Sequence, residues 1–337
     1  MTPEELGQYL EERRLLVDEA LDRYLPRAGD HPKEIHEAVR YSVFAGGKRL
    51  RPILILAAAE ASGGQVEQAL GAAAAIELIH TYSLIHDDLP AMDDDDYRRG
   101  RLTCHKVYGE AMAILAGDAL LTQAFILLSA EPASVDIDSQ VPPTRPLPLR
   151  GGRVGEGVRG SDLHAHGRAS GAWGVDAEAR LRVIQEIAQA AGSKGMVGGQ
   201  VVDILHEDRE VDLPTLTYLH THKTGALIRS CLRVGGLLAS AASEQMEALT
   251  SYGERIGLAF QIVDDILDLE GSLEALGKRA GSDLRKKKAT FPALLGIEES
   301  RRWANRLASE AKQAVVIFGD RGVALQAIAE FVVTRRG

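Results

Sequence analysis

His86-Asp87-Asp88-Leu89-Pro90-Ala91-Met92-Asp93-Asp94-Asp95-Asp96 closes a long alanine- and leucine-rich stretch, and a second acidic group, Asp264-Asp265-Ile266-Leu267-Asp268, lies inside another. Carboxylates set in apolar, helix-forming sequence are costly, and several together are tolerated when cations neutralise them. Hard divalent ions such as Mg²⁺ suit that task, because they take carboxylate oxygen and keep coordination places for water or phosphate. The two clusters read as a metal cage for a polyphosphate.

The sequence around the clusters is helical. Residues 4–24 place Leu6, Leu10, Leu15, Val17 and Leu21 on a broad face, and Thr2-Pro3 suits a helix start. Similar spacing predicts helices over 33–45 (stopped by Gly46-Gly47), 50–61, 65–88, 107–130, 177–206, 213–240, 243–270, 290–313 and 320–335. No stretch alternates with a period of two, so no sheet is expected. The wide apolar stripes predict an all-α bundle of ten or more helices. Residues 132–174 depart from this pattern. They are dense in glycine and proline and carry no periodicity, which predicts a disordered insertion within one domain spanning 1–337. His164 and His166 within it read as solvated side chains rather than a metal pair.

Bulk properties exclude several classes. Net charge is −9 with no basic stripe carrying interleaved aromatics, which argues against nucleic acid. Two cysteines in 337 residues make no disulfide framework and favour a reducing compartment. The first residues lack a secretory pattern, and no apolar run is expected to span a membrane, so a cytoplasmic location is expected.

Spacing separates the clusters. On a helix Asp264 and Asp268 share a face that Gln261 joins, while Asp265 points elsewhere. The neighbours Phe260, Ile262, Val263, Ile266 and Leu267 leave little of this helix for bulk water. Asp87 and Asp93 would be out of phase on a regular helix, and Pro90 between them predicts a bulge or kink that brings both to one side. His80 lies two turns before Asp87 on its stripe. Asp94, Asp95 and Asp96 exceed what one metal site needs, and pairing with Arg98, Arg99 or Arg101, or plain solvation, is expected. Cations stand beside both clusters, in Gly46-Gly47-Lys48-Arg49-Leu50-Arg51-Pro52, Arg98-Arg99-Gly100-Arg101, His222-Lys223-Thr224-Gly225, Lys278 and Lys288. Arginine forks and lysine point charges suit phosphate oxygens.

Together these segments resemble the trans-type polyprenyl diphosphate synthase family over nearly the whole chain outside 132–174. The matching motifs are 46–52, the aspartate-rich 87–93 and 264–268, Gly199-Gln200, 222–228, Phe260-Gln261, Gly277-Lys278-Arg279 and 288–292. The four residues Leu89-Pro90-Ala91-Met92 between Asp88 and Asp93 are similar to the pattern of bacterial farnesyl diphosphate synthases and of the related bacterial and plastid geranylgeranyl enzymes. The resemblance implies an isoprenoid synthase-type bundle around a central cavity, active as a homodimer. It implies that Lys48, Arg51, His80 and Arg99 hold the diphosphate of isopentenyl diphosphate. Arg98, Lys223 and Lys278 would hold the allylic diphosphate, assisted by Thr224, Gln261 and Lys288. Asp87, Asp93 and Asp264 would bind three Mg²⁺ ions, for which Mn²⁺ can substitute, with Asp88 and Asp268 ligating through water or in support.

The implied reaction is ionisation of the allylic diphosphate, attack by the isopentenyl double bond and loss of a proton. Asp87, Asp93, Lys223 and Asp264 would carry the ionisation. Tyr82 and Ser83, just before Asp87, would set chain length, the bulky ring favouring the C15 product over C20. A class I terpene cyclase would not need Lys48, Arg51 and His80. A silent partner subunit would be expected to lack part of this set, and a His-Asp phosphohydrolase would need further histidines on nearby helices.

Overall fold

The computed structural model describes residues 1–129, 177–207, 209–278 and 290–335, with 271–278 described by backbone alone. The 132–174 insertion and Lys288 lie outside the described residues, as does the Lys278 side chain.

Helix α1 (Pro3–Tyr24) starts where the sequence predicts. The Thr2 hydroxyl accepts from Glu5 N, and the Glu5 carboxylate accepts from Thr2 N at 2.6 Å, a reciprocal capping box. Next come α2 (Lys33–Val43), α3 (Leu50–Ala61) and α4 (Val66–Asp87). Helix α4 is the centre of the molecule, buried on nearly every side from Ala72 to Ile79. It packs between α3 and α6 (Glu110–Ser129), while α10 (Ala226–Leu238) covers the other side of α3, α11 (Ser243–Lys278) packs on α10, and α13 (Ile297–Ala314) packs on α11.

Several predicted helices are divided. Residues 107–130 become α5 (Cys104–Tyr108) and α6 (Glu110–Ser129), and 290–313 become α12 (Phe291–Leu295) and α13 (Ile297–Ala314). Gly109 (φ 84°) and Gly296 (φ 80°) make these breaks, in a backbone region open mainly to glycine. Residues 177–206 become α7 (Ala177–Ala191) and α8 (Met196–Leu205). Residues 213–240 become α9 (Leu213–His220), a π turn (Thr221–Gly225) and α10 (Ala226–Leu238). Helix α11 (Ser243–Lys278) runs past its predicted end, and a 3₁₀ segment (Val315–Gly322) precedes α14 (Val323–Thr334).

Two expectations need correction. A small antiparallel hairpin exists, β1 (Tyr97–Arg98) with β2 (Arg101–Leu102). Its strands are too short to show a period of two, and Arg99 (φ 53°) and Gly100 (φ 76°) form its turn. The all-α class stands. Helix α6 is also long and apolar enough, by length and composition alone, to cross a membrane. Here it buries Ala113, Ala116, Leu120 and Ala124 in the bundle and leaves Ile114, Leu115 and Ile126 exposed.

Candidate active site

The first acidic arm is an end of helix rather than a kink within one, which corrects the predicted geometry. Helix α4 stops at Asp87, and the chain turns back on itself at the Pro90 segment. Asp93 N donates to Asp87 O at 2.8 Å, and Asp94 N to Leu89 O at 3.2 Å, which returns residue 93 to the end of α4. Burial pushes the Asp87 carboxyl up to about 6, with Asp93 and Asp88 adding to the rise and Lys223 and Arg98 opposing it. Asp88 is buried and accepts from Arg98 at 2.7 Å (Nε) and 2.5 Å (Nη2). Its carboxylate therefore holds a cation of the site in place. Arg98 also lies 3.6 Å from Asp95, as expected, whereas Asp96 pairs with Lys106 at 2.7 Å instead of with an arginine of the hairpin.

The second arm is the regular stripe that spacing predicts. Ile262, Val263 and Ile266 bury one side of α11, Asp264 and Gln261 are half-buried, and Asp268 is exposed. Asp264 is gripped at both oxygens: Arg335 Nη2 donates to Oδ1 at 2.6 Å and Gln261 Nε2 to Oδ2 at 3.2 Å. The Asp264 carboxyl is raised by burial, against the pull of Arg335. Asp265 does point elsewhere and accepts from Phe291 N at the start of α12. Arg335 was not anticipated. It follows α14, stacks 3.9 Å over Phe260 and also donates to Phe260 O. No local pattern marks a tail arginine that reaches α11.

The cations gather at the start of α3 and on the hairpin, beside His80 of α4. Arg51 Nη1 lies 3.2 Å from His80 Nε2. His80 is held well below its ordinary 6.5 by burial and then by Arg51, Arg99, Arg98 and Arg49, so the neutral ring accepts from Arg51. Arg51 is lowered by burial, and its buried Nε has no hydrogen-bond partner among the described residues. Arg99 is lowered first by desolvation and then by Arg49, Arg98 and Arg51, with Glu77 opposing. Among the described residues neither Arg51 nor Arg99 forms an ion pair with a carboxylate. Lys48, three residues before Arg51, is exposed. Arg49 behaves differently: it turns into the core and donates to Asp18 (2.8 Å), Glu77 (2.7 Å) and Val43 O (2.7 Å), fixing the turn that precedes α3.

Lys223 rides on the π turn and pairs with Asp203 of α8 at 2.6 Å. A Cβ at Gly199 would stand 2.2 Å from Lys223 N, so glycine is what lets α8 approach the turn that carries the lysine. Thr224 Oγ1 donates to Gln261 Oε1 at 2.9 Å. Tyr82 is buried one turn before the acidic arm, edge-on to His86, and the Ser83 hydroxyl turns back to His80 O.

Among the described residues no three His, Cys, Asp or Glu side chains come close enough to hold an ion by themselves. The fit to Mg²⁺ lies elsewhere. The donors are all carboxylate oxygens, and the Asp87 and Asp264 carboxyls are raised as buried acids short of positive charge would be. Mg²⁺ commonly takes one or two protein carboxylates and completes its shell with water and substrate phosphate.

Comparison with known proteins gives a consistent picture. The polyprenyl synthetase family model matches residues 32–142 and 164–317. The chain is 42% identical over 328 residues to a geranylgeranyl diphosphate synthase of Cyanophora paradoxa, covering 97% of this chain and 95% of that protein. It is 40% identical over 310 residues to a farnesyl diphosphate synthase of Bacillus subtilis, covering 92% and 91%. Among solved structures, an FPP/GFPP synthase from Zymomonas mobilis superposes with a TM-score of 0.77 at 36% identity, covering 98% of this chain and 99% of that one.

Proposed function

Because this chain belongs to the polyprenyl synthetase family and is a prenyltransferase of isoprenoid biosynthesis, we propose that it condenses isopentenyl diphosphate with dimethylallyl or geranyl diphosphate to give farnesyl diphosphate. One observation carries the reading: Arg51, Arg99 and neutral His80 form a cationic group in which Arg51 is within electrostatic reach of Asp264, while the neighbouring Arg98 and Lys223 are within reach of Asp87. A diphosphate supplies an anion to these cations and, with divalent metal, satisfies the two carboxylates.

Asp87, Asp93 and Asp264 hold the Mg²⁺ ions, with Asp88 and Asp268 in support. When bound, Mg²⁺ supplies Lewis-acid stabilisation of the negative charge that develops on a departing diphosphate. Lys48, Arg51, His80 and Arg99 hold the isopentenyl diphosphate. Arg98, Lys223 and Lys278 hold the allylic diphosphate, with Thr224, Gln261 and Lys288 assisting. These cations lower the cost of C–O cleavage, since they meet charge where it appears. The C–O pair leaves with the diphosphate, the isopentenyl double bond attacks allylic C1, and the released diphosphate takes the proton. Asp88 steadies Arg98, and Asp203 steadies Lys223, so both cations are placed before substrate arrives.

The C15 product rests on the buried Tyr82 ring in the turn before Asp87. C20 is the second reading, and similarity to a geranylgeranyl enzyme favours it. We also assign a homodimer to the outer face of α6, where Ile114, Leu115 and Ile126 stand exposed on a mostly apolar helix. Product analysis tests the proposal. With Mg²⁺, isopentenyl diphosphate and either allylic substrate, mainly C15 diphosphate is expected. Predominant C20 removes the length assignment, and no elongation with any substrate pair removes the enzyme assignment.

A further inference from the structure

We infer that His220 is a positioning residue of the second acidic arm: through Nδ1 it sets the direction of the Gln261 amide, and so the oxygen that Asp264 offers to metal. The inference rests on the metal–diphosphate reading of the site.

His220 is the last residue of α9, immediately before the π turn that carries Lys223 and Thr224. It is only 7% exposed. Its Nδ1 lies 3.2 Å from Gln261 Oε1, the oxygen that Thr224 Oγ1 also approaches at 2.9 Å. Two donors on Oε1 turn the Gln261 NH₂ toward Asp264 Oδ2, at 3.2 Å. The reversed amide would set Oε1 against the carboxylate, acceptor against acceptor. Thr224 cannot choose between these states, because a hydroxyl rotates and serves as donor or acceptor. An imidazole nitrogen that carries a proton can only donate. Asp264, which only accepts, favours the same orientation from the far side of the amide, and His220 with its proton on Nδ1 locks it from the near side.

The ring is built to hold that position. It stacks on Phe291 with centroids 5.3 Å apart, and Phe291 meets Trp303 edge-on at 5.1 Å. His220 Nε2 is buried without a hydrogen-bond partner among the described residues, 3.5 Å from Asp265 Oδ2, an oxygen that accepts from Phe291 N. The Nδ1 contact to Gln261 is thus the ring's hydrogen bond. Asp264 is held from two sides, by Arg335 at Oδ1 and by the His220–Gln261 pair at Oδ2.

A merely structural role would make His220 a flat plate beneath Phe291. Two variants separate the roles. His220→Asn keeps a donor near Nδ1 and loses the plate, whereas His220→Phe keeps the plate and loses the donor. Each is titrated calorimetrically with Mn²⁺ in the presence of inorganic pyrophosphate, alongside thermal melting and steady-state kinetics. Positioning predicts that His220→Asn binds Mn²⁺ like the wild type. It predicts that His220→Phe melts normally and binds about tenfold more weakly, the scale of one misdirected hydrogen bond. Wild-type affinity in His220→Phe, or an equal loss in both variants, overturns it. His220→Ala, made alone and on Gln261→Ala, serves if His220→Phe does not fold. A role through Gln261 predicts no further loss in the double variant, and additive losses overturn it. If the wild type binds Mn²⁺ with pyrophosphate but makes no prenyl product, the prenyltransferase reading falls and the His220 inference stands on the titrations. If the wild type binds neither, both fall.

Discussion

Asp87 carries its charge at a cost in the folded chain, because burial and two neighbouring acids raise its carboxyl from 3.8 to about 6. In the metal-free protein the penalty is absent below 3.8, grows as pH rises and is complete above about 6. A rise of that size corresponds to roughly 3 kcal/mol of lost stability. Asp87→Asn should therefore be more resistant to urea than the wild type by up to about 3 kcal/mol near pH 8 without metal, with the gap closing near pH 4. It should also be nearly inactive. A variant less stable than the wild type at the higher pH would contradict the buried-charge argument. Asp264→Ala should lose orders of magnitude in turnover while melting near the wild type, and near-normal turnover would count against its metal role. Asp87, Asp264, Gln261 and His80 were legible in the sequence because each owes its place to spacing along one helix. Arg335, Asp203 and the inward turn of Arg49 were not, because their partners lie on other elements and leave no local period.

At the scale of elements, the decisive features are interruptions. Helix α4 stops at Asp87, and α9 passes through a π turn into α10, each just where a charged side chain must meet the site. Pro90 announced the first irregularity but not its form, since an ended helix and a kinked one look alike from spacing. Nothing announced the π turn, whose residues fit a continuous helical stripe. Gly199→Ala should push α8 off the π turn, costing about 1–3 kcal/mol in urea unfolding and raising KM for the allylic substrate by misplacing Lys223. Unchanged stability and KM would show that the close approach is not needed. Tyr82→Ala should open space below the first arm and lengthen the product from C15 toward C20, read by chromatography of the dephosphorylated prenols. An unchanged product would free Tyr82 from that role.

Across the whole molecule, the fold brings α4 and α11, far apart in sequence, to one group of cations from the start of α3, the hairpin and the π turn. The all-α bundle was legible because its helices bury wide apolar stripes. The outer face of α6 was not, because an exposed apolar helix reads like a buried one in sequence. If that face joins two copies, sedimentation should give a dimer, and Leu115→Lys with Ile126→Lys should shift it to monomer. A wild-type monomer would contradict the assignment. The central claim is that both acidic arms serve one metal–diphosphate site, and a crystal structure with Mn²⁺ and an unreactive allylic diphosphate tests it most directly. The account predicts anomalous Mn²⁺ peaks that join the diphosphate to Asp87 and Asp93 on one side and to Asp264 on the other. Metal at one arm alone, or a diphosphate bound elsewhere, would contradict it.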